Sequence, residues 1–155
     1  DAHPDSIASG LARRDATAAT GIYSDWVHLV VDSYHDRRTA FRFSTTPRGV
    51  QKDVYTYNDG SEDLNWDAVW EVGTRIDSLG WVAEFRIPLS QLRFGGDSAS
   101  GLGRVWGLQV QRDIARRNQR DSWPAYRPSA RTLMSAWRGM TSGSVATSPG
   151  WLLAR

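Results

Sequence analysis

The sequence predicts an all-β fold, an antiparallel β-sandwich. Three observations lead there: short segments in which apolar and polar residues alternate with period 2, turn chemistry between those segments, and almost no helical periodicity. At 155 residues the chain fits one domain.

The first strand covers residues 25–32, with Val27, Leu29 and Val31 on one face and Trp26, His28 and Val30 on the other. A polar connection, Tyr34 to Arg38, leads to a second strand in which Phe41 and Phe43 alternate with Arg42 and Ser44. Pro47-Arg48-Gly49 has the composition of a turn. The third strand runs over residues 50–57, with Val54 and Thr56 opposed to Tyr55 and Tyr57, and completes a meander. Residues 58–67 are too rich in turn formers for a strand and read as a polar, acidic loop.

Two further strands follow. Ala68, Trp70, Val72, Thr74 and Ile76 share one face, and Trp81, Ala83, Phe85 and Ile87 share another. Between them, Asp77-Ser78-Leu79-Gly80 has the length and chemistry of a hairpin loop. Pro88 ends the second of these strands. Leu89, Leu92 and Phe94 suggest a short helical turn over 89–94 that packs on the core. Residues 95–103 form a glycine- and serine-rich loop, and the last clear strand is 105–112, with Trp106, Leu108 and Val110 inward. Beyond Trp123 the pattern decays. The expected domain is therefore 1–123, followed by a loosely ordered tail, 124–155, with a weak helix over 129–140.

Composition narrows the function classes. Hydrophobic residues make up 40% and charged residues 23%, enough for a packed core. The basic residues are scattered and the formal charge is only +2, so nucleic acid is not an expected partner. No apolar run approaches the ~18 residues of a transmembrane helix. Zero cysteines excludes a disulfide framework, a thiolate metal site and a cysteine nucleophile. Eight tryptophans exceed what core packing of such a chain ordinarily needs, which suggests that some lie on a binding surface. No nucleophile-elbow, phosphate-loop or zinc-protease motif is present, and catalysis is not expected. Glu71 and Glu84 are carboxylates on strands, but nothing in the sequence sets them the ~5–9.5 Å apart that glycoside hydrolysis needs. Pairing with Arg75 and Arg86 on the sheet surface is the expectation for them.

Asp25-Trp26-Val27 through Asp32, then Thr39-Ala40-Phe41-Arg42-Phe43, is similar to the family 9 carbohydrate-binding modules. So is Gly80-Trp81-Val82-Ala83-Glu84-Phe85-Arg86-Ile87-Pro88-Leu89, with Leu92 and then Trp106-Gly107. The stretch Ser33 to Ala40, Asn58-Asp59-Gly60, Trp66-Asp67-Ala68-Val69-Trp70 and Ile114 to Asn118 resemble the versions placed ahead of a predicted β-barrel in bacterial outer-membrane-type proteins. The resemblance spans roughly residues 1–123 and implies a jelly-roll or immunoglobulin-like sandwich, often with structural calcium. It also implies a secreted, periplasmic or outer-membrane-associated bacterial protein that binds carbohydrate, with a role in polysaccharide catabolism and a C-terminal β-barrel as a possible partner in the parent chain. Such modules carry further strands before the position of Asp1, so the chain is expected to be truncated at its start. Two alternatives stand beside sugar binding: a structural adaptor for an outer-membrane barrel, and an accessory domain of a glycoside hydrolase with catalysis elsewhere.

Candidate residues follow. Trp123 lies where the related modules place a stacking tryptophan, and Arg120 and Asn118 beside it are natural partners for sugar hydroxyls. Trp66, at a loop edge, suits either packing or a ligand. The acidic loop offers Asp59, Glu62, Asp63 and Asp67 as oxygen ligands for calcium, without EF-hand spacing. Asp25, Asp32 and Asp36 form a second acidic group around the first strand. His28 and His35 are not spaced as a metal pair.

Overall fold

The computed structural model describes residues 4–16, 22–93, 106–123, 147–148 and 151–154. Ten strands are described: β1 (Trp26–Asp32), β2 (Ala40–Thr45), β3 (Gln51–Tyr57), β4 (Ser61–Asp63), β5 (Glu71–Asp77), β6 (Gly80–Pro88), β7 (Gly107–Ile114), β8 (Gln119–Trp123), β9 (Thr147–Ser148) and β10 (Trp151–Ala154). They form two sheets, β4-β3-β2-β1-β7-β8 and β5-β6-β10-β9, in which neighbouring strands are antiparallel. The all-β sandwich read from the alternation is the fold of the chain. Among the described residues no helix is long and apolar enough to cross a membrane.

Alternation decides which residues meet between the sheets. Leu29 and Val31 pair with Phe43 and Phe41 in the β1–β2 register, and all four are buried. From the second sheet Phe85, Ile87 and Leu152 face them, while Ala68, Trp70, Leu92 and Trp106 fill in from the connections. Trp70 stacks on Phe85 at 5.7 Å between ring centroids and meets Phe43 edge-on at 5.4 Å. Each fully buried large apolar side chain of this kind contributes about 1.5–3 kcal/mol. Trp70 and Trp106, each just before a strand, are buried inward, as the alternation read from the sequence expects.

The turns follow local chemistry. The Asp32 carboxylate accepts the backbone N–H groups of Asp36 and Arg37, and Asp36 in turn accepts those of Arg38 and Thr39. These bonds hold His35 and Arg37 at positive φ, 53° and 57°. A 3-10 turn, Leu89–Gln91, ends the β6 segment and brings Leu89 and Leu92 onto the core. Phe94, also expected there, lies outside the described residues, as does the weak helix expected over 129–140.

Three details depart from the sequence expectation. The acidic loop 58–67 contains β4, whose Glu62 and Asp63 pair with Thr56 and Tyr55. Its turn formers are concentrated before and after three residues that extend the β3 ladder. A further strand follows the one read over 105–112: residues 119–123 form β8, paired with β7, and Trp123 ends it. The sandwich also does not close at residue 123. β10 pairs with β6, and Leu152 opposite Ile87 is fully buried, so the last described strand belongs to the second sheet and its core.

Candidate ligand groove on the six-stranded sheet

The residues left over from the core alternate onto the other face of the large sheet. β1 places Trp26 and His28 there, β2 places Arg42 and Ser44, and β3 places Lys52. The register carries the same face onto β7 and β8, because Trp26 stands opposite Asp113 and Asp113 stands opposite Arg120. A groove of ≈ 570 Å³ opens here, lined among others by Tyr23, Trp26, Arg42, Lys52, Asn118 and Arg120.

Two local features bound it. Asn118 takes the left-handed conformation at φ 47°, ending the 3-10 turn Ala115–Arg117 and allowing the chain to double back from β7 into β8. On the other side, residues 8 and 9 dock on 24 and 25. Asp25 donates its N–H to the Ala8 carbonyl at 2.8 Å, the Ser24 hydroxyl donates to the same oxygen, and Ser9 bridges Ser24. This docking fixes Tyr23 at the rim, where its side chain is 64% exposed. The fully buried Asp25 carboxylate accepts the N–H of Ala115 at 3.0 Å and ties the start of β1 to the end of β7.

The floor of the groove is a hydrogen-bonded row. Arg120 donates from Nε and Nη2 to Asp113, and Asp113 Oδ2 lies 3.1 Å from His28 Nε2, while His28 Nδ1 lies 2.8 Å from the Ser44 hydroxyl. Burial of the imidazole lowers the His28 pKa, outweighing the opposing pull of Asp113, so the ring is neutral near pH 7. Asp113 has only acceptors to offer, which assigns the ring proton to Nε2 and leaves Nδ1 to accept from Ser44. Burial alone would raise the Asp113 carboxyl. The donors Arg120 and His28, with their charges, override it and hold the carboxyl well below the usual carboxylate range.

Ser44, His28 and Asp113 thus line up in the order of nucleophile, base and orienting acid. However, Ser44 is 0% exposed, and no substrate carbonyl can reach its hydroxyl. The row fixes the imidazole and presents Arg120. Trp26 lies parallel to the His28 ring, 6.2 Å between centroids and 6° between planes, so its orientation is set from the same strand. Arg42 pairs with Glu62 at 2.9 Å.

Of the residues expected to bind sugar, Arg120 and Asn118 line this groove. Trp123 does not join them. It stands opposite Val110, on the face of β8 that continues the core side, three residues and therefore one change of face from Arg120. There it is 58% exposed. Trp66 packs against the core, with ring centroids 5.0 Å from Phe41 and 5.8 Å from Phe43.

The four expected calcium ligands point to different places. Asp59 occupies a left-handed turn position at φ 60°, Glu62 is taken by Arg42, and Asp63 accepts the N–H of Asn65. Glu62 and Asp63 are consecutive strand residues and face opposite sides. Asp67 instead joins Asp15 and Asp53, whose carboxylates converge. The Arg14 guanidinium lies among these three, 2.6 Å from Asp53, 3.0 Å from Asp67 and 3.5 Å from Asp15. A cation is thus already supplied by the chain itself. Asp32 and Asp36 are spent on backbone N–H groups, and Asp25 accepts one through Oδ1, as described above. On the second sheet Glu71 does pair with Arg86, at 3.2 Å, whereas Arg75 pairs with Asp77.

Sequence reading assigns no chemistry to Trp26, and it treats His28, Arg42, Ser44 and Lys52 as ordinary strand residues. Alternation places each on a non-core face. Only the inter-strand register shows that these faces coincide. No family model, curated protein or solved structure matches the chain.

Proposed function

We propose that this domain is a non-catalytic carbohydrate-binding module of a secreted or surface-associated bacterial protein. The observation that carries the reading is the groove, which Trp26 and Tyr23 line together with Arg120, Asn118 and Lys52. The C–H face of a pyranose packs on an indole, and fixed amide and guanidinium groups bond its hydroxyls. Arg120 sits on a strand and is held by its two bonds to Asp113, so its part in binding costs little ordering. The resemblance to family 9 modules supports the same class of ligand. In this reading Arg120 and Asn118, which line the groove, bond the sugar hydroxyls, with Trp26 in place of Trp123 as the stacking ring.

Isothermal titration against neutral sugars (glucose, cellobiose, xylo-oligosaccharides) and acidic ones tests the reading. Saturable binding to at least one of them, weakened about tenfold or more in Trp26→Ala, is the expected result. Absence of binding to the whole panel, or binding that Trp26→Ala leaves unchanged, overturns it.

A further inference from the structure

Three cations line the groove, and two carboxylates answer them. Arg42 is paired with Glu62 and Arg120 with Asp113, whereas Lys52 has no carboxylate within ion-pair distance among the described residues. Asp15, the other acid near it, is held by Arg14. Arg42 lines the groove and meets Glu62 through Nη1. Lys52 and Arg42 project from adjacent strands onto one face, because Lys52 stands opposite Ser44, two residues from Arg42 along β2.

From this unbalanced pair beside an aromatic wall we infer that the groove selects acidic glycans, with a uronate carboxylate seated between Lys52 and Arg42 and its ring against Trp26. The inference rests on the carbohydrate reading above and names the substrate class of that site. A carboxylate there would supply the counter-charge that Lys52 lacks. Burial and the neighbouring Arg42 charge lower the Lys52 pKa in the free protein, and an incoming anion relieves both effects. Neutral sugars can use Trp26, Asn118 and Arg120 but leave Lys52 without a carboxylate at ion-pair distance.

Titration of trigalacturonate and glucuronate against cellobiose and xylotriose, with the wild type, Lys52→Met and Lys52→Arg, tests the inference. Tighter binding of the uronates is expected, weakened about tenfold in Lys52→Met, roughly the worth of one charge-assisted hydrogen bond, and largely kept in Lys52→Arg. Rising salt should weaken uronate binding more than neutral binding. Equal affinity for neutral and acidic sugars, or uronate binding that Lys52→Met leaves intact, overturns the acidic preference while the carbohydrate reading stands. Absence of binding to every sugar overturns both. A thermal-unfolding midpoint for Lys52→Met matching the wild type confirms that the variant is folded.

Discussion

Arg120 forks onto Asp113 across the β7–β8 ladder, donating from Nε at 2.5 Å and from Nη2 at 2.7 Å. The pair is bidentate, the geometry in which a surface ion pair carries stability, and it fixes the guanidinium at the groove. Because Asp113 also accepts from His28, one carboxylate links three strands of the sheet.

Removing that carboxylate should therefore cost more than removing the arginine. Asp113→Ala is expected to lower unfolding free energy by about 1–2 kcal/mol, and Arg120→Ala by about 0.5–1 kcal/mol because its side chain is half in solvent. Urea denaturation measures both. The sign with pH follows from the depressed carboxyl: its stabilisation is complete above the unfolded value near ~4 and is lost as pH falls below it. Asp113→Asn should flatten that acid limb. An unaltered limb would remove Asp113 from the account of acid stability.

His28 has the opposite chemistry and the same direction with pH. Its pKa is lowered by burial, so below about 6.5 the unfolded chain takes up a proton that the folded ring refuses. Stability then falls as pH drops from 7 toward 5. His28→Gln should remove most of this slope, read from melting temperatures across that range. A slope that persists in the variant would assign it to other groups.

Asp53 anchors the loop before β5. It is 1% exposed and accepts the N–H of Ala68 at 2.6 Å, the indole Nε1 of Trp70 at 3.2 Å and Nη2 of Arg14 at 2.6 Å. Asp53→Ala leaves two buried donors without an acceptor and should cost about 2–4 kcal/mol. Asp67 meets the same guanidinium from a position 76% exposed, and Asp67→Asn should change stability by under about 0.5 kcal/mol. Denaturant midpoints separate the two. Equal losses would show that the Arg14 ion pairs, not the buried donors, set the cost.

How much of this was legible beforehand depends on whether one strand or several carry the information. The face of Phe41, Phe43, Phe85 or Ile87 is set by its own neighbours in sequence, and the core followed from that alternation. Leu152 was not legible, because a four-residue strand after a stretch of small polar residues has no periodicity to read, and it becomes core only by pairing with β6. The groove is a register property. His28 meets Asp113 across 85 residues and Trp26 faces Asp113 only when β1 and β7 align, so single-strand patterns show candidates but not their meeting. Trp123 and Arg120 illustrate the converse. Three residues apart, they look like neighbours in a loop, yet a strand sends them to opposite faces.

The tryptophans provide a test of that division of faces. Trp66 contacts Phe41 and Phe43, so Trp66→Ala should lose about 2–4 kcal/mol of stability. Trp123 is 58% exposed at the edge of β8, and Trp123→Ala should cost under about 1 kcal/mol. Because its ring is on the core side of the sheet, the same variant should bind cellobiose or trigalacturonate as the wild type does, while Trp26→Ala keeps its fold and loses affinity. Denaturation and calorimetric titration of the three variants give a pattern with one stability loss, one binding loss and one near-silent change. Binding lost in Trp123→Ala and kept in Trp26→Ala would move the ligand to the opposite face of β8, away from Arg120, Lys52 and Arg42.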